Sequence, residues 1–136
     1  MLSVNYCGGL GNQMFQIFNL LSLSLKFKKN IILRQLKIKK RDLYFDNIFK
    51  DLKKYILPFN EKFNTYKEVE FKYNEIILDV NKNIILNGYF QSYRYFDKYE
   101  NQIFEKINLY KQQEEISLKY TKYNFNNLVS MHFRIG

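Results

Sequence analysis

The 136-residue sequence has very little of several residue types: one cysteine, one proline, one histidine, five glycines and no tryptophan. The single cysteine, Cys7, excludes an internal disulfide and a cysteine-rich metal site, and it fits a reducing compartment. Without tryptophan, the aromatic share of 18% consists of Tyr and Phe, which we expect to fill the core. Because the chain has neither an internal repeat nor a Gly/Ser/Pro-rich linker, residues 1–136 predict a single domain.

Long hydrophobic runs are also missing. The most apolar run, 14–27, is interrupted by polar side chains and is shorter than the roughly 20 residues that a bilayer span needs. Met1 leads directly into a strand-like segment, without the basic leader of a secretory signal. We therefore expect a cytoplasmic protein with at most peripheral association with a membrane.

The charge is strongly positive, with 22 Lys and Arg against 13 Asp and Glu and a net charge of +9. Such a charge can serve a nucleic acid, a membrane surface or an anionic substrate. The lysines are scattered, for example over 26–29 and 37–41, and are not gathered on one motif. A basic nucleic-acid or membrane-surface module is therefore the least favoured hypothesis, and no nucleic-acid partner is expected.

The first third of the chain predicts a strand, a glycine turn, a helix and a second strand. Loose alternation favours a strand over 2–7, and Asn12 is a good N-cap for a helix over 13–26. That helix is apolar almost all round, so we expect it to be buried. A second strand is predicted over 30–33. Units of this kind form parallel sheets.

The remainder continues an α/β pattern, less clearly in the middle than at the end. The predicted elements are a short helix over 46–54, short strands over 68–73 and 75–78, a strand over 84–90, a helix after Ser92 with a stripe of Phe96, Tyr99, Ile103 and Ile107, helical residues over 112–120 and a final strand within 128–134. The fold class expected is α/β, with a mostly parallel sheet flanked by helices.

The clearest motif is 8–16, GGLGNQMFQ, between the first strand and the first helix. Glycines at this point let the backbone approach a ligand, and a helix N-terminus favours negative charge. The spacing is neither that of the dinucleotide fingerprint nor that of a P-loop. The alternative is a tight turn in which Asn12 is only a structural cap.

Two other segments contain residues suited to binding. The stretch 88–96, GYFQSYRYF, places aromatic rings beside Gln and Ser at a second strand-to-helix junction, which suits a sugar, although core aromatics and a helix cap would also explain it. Near the end, His132 and Arg134 point to one side of an extended chain. A guanidinium there can bind a phosphate through two hydrogen bonds. Alternatively, His132 is a structural residue.

In this order and spacing, the three segments resemble the alpha-1,2-fucosyltransferases of glycosyltransferase family 11. That family begins with the same nine residues as 8–16 and has a Gly-Tyr-Phe-Gln-Ser stretch like that of 88–92. It continues with a His-x-Arg-Arg-Gly-Asp-Tyr motif, whose beginning is similar to 132–134. The resemblance runs along the whole chain but covers only the N-terminal half of a family member.

The resemblance implies the N-terminal lobe of a GT-B-type glycosyltransferase, incomplete at its C-terminus. The activity implied is inverting transfer of fucose from GDP-fucose to a galactose hydroxyl of a glycan, in alpha-1,2 linkage. The resemblance implies no cofactor and no metal. The partners expected are therefore GDP-fucose, a galactose-containing glycan acceptor and a C-terminal half.

The resemblance also implies roles for particular residues. Arg134 would bind the diphosphate and stabilise the charge that develops on the leaving GDP, and His132 would help to shape that pocket. The glycine turn would line the cleft, and Asn12 is the residue expected to reach the donor or the reacting centre. The turn residues expected to bind substrate are Gly9, Gly11, Asn12 and Gln13. No general base is assigned.

Two departures from the family pattern limit these expectations. Ile135 stands where the family has a second arginine. A similar protein O-fucosyltransferase pattern, His-Leu-Arg-Ile-Gly, also has isoleucine at this position, so the identity of the acceptor stays open. The Asp-Tyr of the motif and the following half are absent, so we expect the 136-residue chain to be inactive alone. The alternative is a non-catalytic fragment that pairs with a separate C-terminal half, against which Val129 and Met131 would pack.

Overall fold

The computed structural model describes residues 1–34, 43–58 and 60–123, together with 127, 129 and 131. These residues form a mixed α/β structure, as the sequence predicts. The elements are β1 (Leu2–Val4), α1 (Leu10–Phe27), β2 (Asn64–Lys67), β3 (Ile84–Asn87), α2 (Glu100–Lys106) and α3 (Leu109–Lys119), with 3₁₀ helices at Tyr44–Asp46, Lys50–Tyr55, Tyr93–Tyr95 and Asp97–Tyr99. Of the predicted final strand within 128–134, only residues 129 and 131 are described, and neither is assigned to a strand.

The sheet is parallel and has the strand order β1-β3-β2. Leu2 of β1 and Asn64 of β2 both lie opposite Ile84 of β3, so the central strand is the last of the three in sequence. All of β1 is buried, and β3 is buried from Ile84 to Leu86. Burial of consecutive residues is typical of parallel strands that are covered on both faces.

The segment 30–33 lies on the other side of β1. Ile31 forms a parallel bridge with Leu2, and Leu33 forms one with Ile56. The backbone N–H of Leu2 donates to Asn30 O at 2.8 Å, and that of Ile32 donates to Leu2 O at 2.9 Å. The predicted strand over 30–33 is therefore present only as isolated bridges, because its ladder with each neighbour is too short to form a continuous strand.

The helix α1 is the centre of the core. Residues 16–24 are buried without interruption, as the apolar pattern on all faces predicts. One face of α1 contacts β1, and other faces contact α2 and the 3₁₀ helices of 93–99. None of the helices in the part of the chain described here is long and apolar enough to cross a membrane.

The start of α1 differs from the prediction. The helix begins at Leu10, with Gly9 as its N-cap in an extended conformation, so Asn12 lies within the first turn and is not the cap. No side chain caps this end. The predicted N-cap was wrong because glycine can also occupy that position, and because the Asn12 amide has a different partner, described below.

The middle of the chain also corrects two predictions. Residues 68–78 contain no strand, and the strand of this region is β2, which ends just before them. Val69 and Phe71, whose apolar character favoured a strand, are 74% and 79% exposed. The predicted helix over 46–54 is replaced by two 3₁₀ helices, in which Phe45 and Leu52 are buried, and Phe49 in the turn between them is fully buried.

The predicted helix after Ser92 divides into two 3₁₀ helices followed by α2 and α3. Its apolar stripe is nevertheless confirmed, since Ile103 and Ile107 are fully buried and Phe96 packs against the core. The Phe96 ring meets that of Phe18 edge to face, with centroids 5.3 Å apart. Aromatic contacts of this kind link α1 to α2, but the prediction that Tyr and Phe fill the core was wrong, since most of the buried hydrophobic residues described are Leu and Ile.

Replacing Leu86 by alanine is expected to lower the free energy of unfolding by about 2–5 kcal/mol, because this side chain is fully buried in the central strand. Urea denaturation would measure the loss. Ile77→Ala is the matched control, since Ile77 is 83% exposed and its truncation should change stability by about 0.5 kcal/mol or less. Equal effects of the two substitutions would contradict the burial of Leu86 described.

Candidate functional site

The candidate site lies at the edge of the sheet where all three parallel strands end. The turn after β1, the turn after β3 and Glu68, the first residue after β2, meet at this edge. In open α/β sheets, ligands bind outside the carboxyl ends of the strands, where the connections of neighbouring strands diverge. From β1 the chain continues through α1 to the segment 30–33 on one side of β1, whereas β3 lies on the other side. The connections of neighbouring strands therefore diverge at β1.

The turn after β1 requires glycine at its first position. Gly8 has φ +76°, and a Cβ atom there would collide with the side chain of Asn12. Gly9 is extended and caps α1. Gly11 is exposed in the first turn of the helix, and a Cβ atom there would have nothing within 4 Å. Of Gly8 and Gly11, only Gly8 therefore lies close to another side chain.

Two fully buried glutamine side chains hold this turn against α1. Gln13 Nε2 donates to Gly8 O at 3.2 Å. Gln16 Oε1 accepts the backbone N–H of Cys7 at 3.1 Å, and its Nε2 lies 3.3 Å from Cys7 O and 2.8 Å from Cys7 Sγ. The Gln16 amide thus pairs with the Cys7 peptide as a neighbouring strand would, at the point where β1 has ended.

Asn12 connects the two turns. Its Oδ1 accepts a hydrogen bond from Gln91 Nε2 at 2.7 Å, across 79 positions of sequence. Asn12 is half-buried and Gln91 is exposed, so the pair lies at the solvent-exposed surface of this edge of the sheet. Within the residues described, no other hydrogen bond involves Asn12 Nδ2 or Gln91 Oε1. The pair therefore has one donor, Asn12 Nδ2, and one acceptor, Gln91 Oε1, outside its own hydrogen bond, and Nδ2 lies where a Cβ atom of Gly8 would be.

Glu68 fixes the turn after β3. Its Oε2 accepts the backbone N–H of Tyr89 at 2.6 Å, and its Oε1 accepts that of Phe90 at 2.9 Å. Gly88 lies so close that a Cβ atom there would meet the Glu68 side chain. A carboxylate that accepts two backbone N–H groups forms charge-assisted hydrogen bonds, which are stronger than bonds between neutral groups. We call this arrangement the Glu68 clamp.

The clamped turn has an unusual backbone. Phe90 has φ +52°, in the left-handed region, and its side chain is fully buried. For a residue other than glycine, asparagine or aspartate, this conformation costs about 1–2 kcal/mol. The N–H of Ser92 donates to Phe90 O at 2.8 Å, so the chain reverses around Gln91. The burial of the ring and the Glu68 clamp together offset the strain.

Burial governs the titration of the side chains near the turn. The pKa of the Cys7 thiol is raised, chiefly by desolvation, and a hydrogen bond from Gln16 opposes this only in part. The pKa of the neighbouring Tyr6 hydroxyl is raised for the same reason. Cys7 therefore stays a thiol at neutral pH, and it does not have the character of an activated nucleophile.

The structure brings together four of the predicted binding residues. Gly9, Gly11, Asn12 and Gln13 all lie in or next to the turn after β1, although Gln13 is fully buried and donates to the turn itself. His132 and Arg134 lie outside the described residues. Glu68 was missed, since the sequence shows only an acidic residue in a segment that resembles a strand.

A separate pocket lies beside the middle of α1, away from the turn. It has a volume of about 160 Å³, and its lining includes Asn19, Tyr73 and Arg94. The Arg94 guanidinium stacks on the Tyr73 ring, 4.3 Å from its centroid. No residue of 8–16 lines this pocket. Among the described residues there is also no group of three or more His, Cys, Asp or Glu side chains that could hold a metal ion.

Gly8→Ala is expected to destabilise the protein by about 1–3 kcal/mol, because it combines a left-handed backbone with a collision against Asn12. Gly11→Ala is the matched control, three positions away. It should be neutral or stabilise the helix by up to about 1 kcal/mol, since alanine favours a helix more than glycine does. Urea denaturation measures both, and a stable Gly8→Ala variant would show that the turn is different.

The sequence matches no family model and no curated protein, and the fold matches no solved structure. The comparisons therefore neither support nor oppose the resemblance to the fucosyltransferases. A function for this chain has to be argued from the edge of the sheet and from the motifs that meet there.

Proposed function

We propose that this chain is the N-terminal part of an inverting fucosyltransferase, which moves fucose from GDP-fucose to a galactose hydroxyl of a glycan. One observation supports this most directly. The two motifs on which the resemblance depends most, 8–16 and 88–92, are far apart in sequence, yet Asn12 and Gln91 are hydrogen bonded at 2.7 Å. Two segments that separately suit a sugar-nucleotide ligand thus form one edge.

The position of that edge is also consistent with the proposal. A GT-B-type enzyme has two α/β lobes that face each other across a cleft, and the carboxyl edge of a parallel sheet is where such a fold binds ligands. The three-stranded parallel sheet and its helices would belong to the first lobe. Asn12 and Gln91 would face the cleft, and Gly9 and Gly11 would let a ligand approach the backbone.

The chemistry proposed for this site needs positive charge near the departing diphosphate. As the glycosidic bond breaks, negative charge develops on the β-phosphate, and fixed donors or cations stabilise it. Arg134 is the residue proposed for this role, with His132 beside it. The donor pocket would be completed by a C-terminal half, so the chain alone is proposed to bind GDP-fucose without transferring the sugar.

Calorimetric titration of the 136-residue chain with GDP and GDP-fucose tests the proposal. We expect both ligands to bind, and Arg134→Ala to weaken binding about tenfold or more, as the loss of a charged hydrogen bond predicts. Arg94→Ala is the control, because this guanidinium stacks on Tyr73 and has no role in the proposed site. Equal losses in the two variants, or no binding by the chain, would contradict the donor site.

A second candidate function is that of a non-catalytic partner of a separate C-terminal half. The observation in its favour is that Val129 and Met131 are 89% and 75% exposed, which is unusual for two apolar side chains so close together.

On this second hypothesis, the chain should self-associate through its apolar surface, and Val129→Ser with Met131→Ser should reduce the association. Sedimentation velocity over a range of concentrations measures it, with Ile77→Ser as a control at another exposed apolar position. A monomer at all concentrations would oppose this hypothesis and leave the transferase proposal unaffected.

A further inference from the structure

The turn that places Gln91 against Asn12 depends on a residue from a different strand. Residues 89–92 have no helix or strand of their own before the 3₁₀ helix at Tyr93–Tyr95. Their N–H groups at Tyr89 and Phe90 are bound by the Glu68 carboxylate, at 2.6 and 2.9 Å. Gln91 is the next residue, and its side chain is the one that reaches Asn12.

We propose that Glu68 is a positioning residue for this site. Its carboxylate holds the left-handed turn at Phe90, and so sets the Gln91 amide against the Asn12 amide. The hydrogen-bonded amides leave one donor, Asn12 Nδ2, and one acceptor, Gln91 Oε1, outside this bond in the described structure, with Nδ2 packed against Gly8. A donor and an acceptor of this kind can bind two hydroxyls of a hexose, one accepting and one donating.

The assignment of a hexose rests on the proposed function, whereas the positioning by Glu68 does not. Two sugars of the proposed reaction offer neighbouring hydroxyls, the fucosyl group of the donor and the galactosyl group of the acceptor. The shared chemistry is a pair of hydroxyls at the solvent-exposed surface of this edge of the sheet. The probes below distinguish the two sources.

The test of positioning is a comparison of Glu68→Gln with Glu70→Gln by NMR of the complete chain. Glutamine has the shape of glutamate, but it offers one acceptor oxygen in place of two and turns an NH₂ group towards a backbone N–H. Glu70 is the matched control, because it is two residues away and forms an exposed ion pair with Lys72 at 2.8 Å.

In Glu68→Gln we expect the amide protons of Tyr89 and Phe90 and the side-chain NH₂ of Gln91 to shift together. The Gln91 NH₂ should move to the position of a solvent-exposed amide, because its bond to Asn12 is lost. Urea denaturation confirms that the variant remains folded. A Gln91 NH₂ signal unchanged in folded Glu68→Gln, or shifted equally in Glu70→Gln, would overturn the positioning role.

The test of the hydroxyl pair uses GDP, GDP-fucose and methyl β-galactoside as probes. Gln91→Ala and Glu68→Gln should each weaken one of the two sugar-bearing probes about fivefold, as the loss of one hydrogen bond predicts, and leave GDP within twofold. The probe that weakens identifies the sugar. Equal weakening of GDP, or no change with any probe that binds, would overturn the assignment of a hexose.

A double substitution separates action through Gln91 from a general structural effect. If Glu68 acts through Gln91, the double variant with Glu68→Gln and Gln91→Ala should bind the sugar-bearing probe no more weakly than the single variant Gln91→Ala does. Additive losses would show that Glu68 acts by another route. If the unsubstituted chain binds none of the probes, the proposed function and the hexose both fail, and the NMR comparison still decides whether Glu68 positions the amide pair.

Discussion

The structure of the candidate site depends on one constraint, the need to satisfy buried peptide groups where β1 ends and α1 begins. The backbone turns sharply at Gly8, and the Cys7 peptide would lose its partners as the strand ladder ends. Gln16 provides those partners, and Gln13 donates to Gly8 O from the same face of the buried helix. Because unpaired polar groups in the interior cost about 1–3 kcal/mol each, the position of the turn is fixed by the register of α1.

The same principle explains the opposite side of the edge. The turn after β3 has two N–H groups that no strand pairs, and Glu68 accepts both of them from the end of the neighbouring strand. One carboxylate therefore joins the ends of β2 and β3, while Asn12 and Gln91 join those of β1 and β3. Where the backbone ladder stops, side chains bind the peptide groups that strands would otherwise pair. These hydrogen bonds fix the positions of the turns at the edge of the sheet.

How far the sequence predicts this structure follows from the range of the interactions involved. Local patterns predicted α1, the stripe of Ile103 and Ile107 and a parallel arrangement of strands, because each depends on periodicity or on adjacent turns. The N-cap at Asn12 was wrong because the amide is bound by a residue 79 positions away. The strands over 68–73 and 75–78 were wrong because the pairing with β3 ends at Glu68, whose N–H donates to Asn87 O while its carboxylate binds the turn after β3. Rules based on neighbouring residues in the sequence cannot predict contacts between residues so far apart.

The buried glutamines also bear on how the motif 8–16 should be interpreted. The resemblance implies that Gln13 binds substrate, yet the side chains of Gln13 and Gln16 are both fully buried and form hydrogen bonds to Gly8 and Cys7. A polar residue of such a motif can therefore be required for the shape of the turn alone. Asn12 differs, because it is half-buried and its Oδ1 accepts a hydrogen bond from the exposed Gln91. On the proposed function, the motif divides into residues that build the edge and Asn12, which would be available to a ligand together with Gln91.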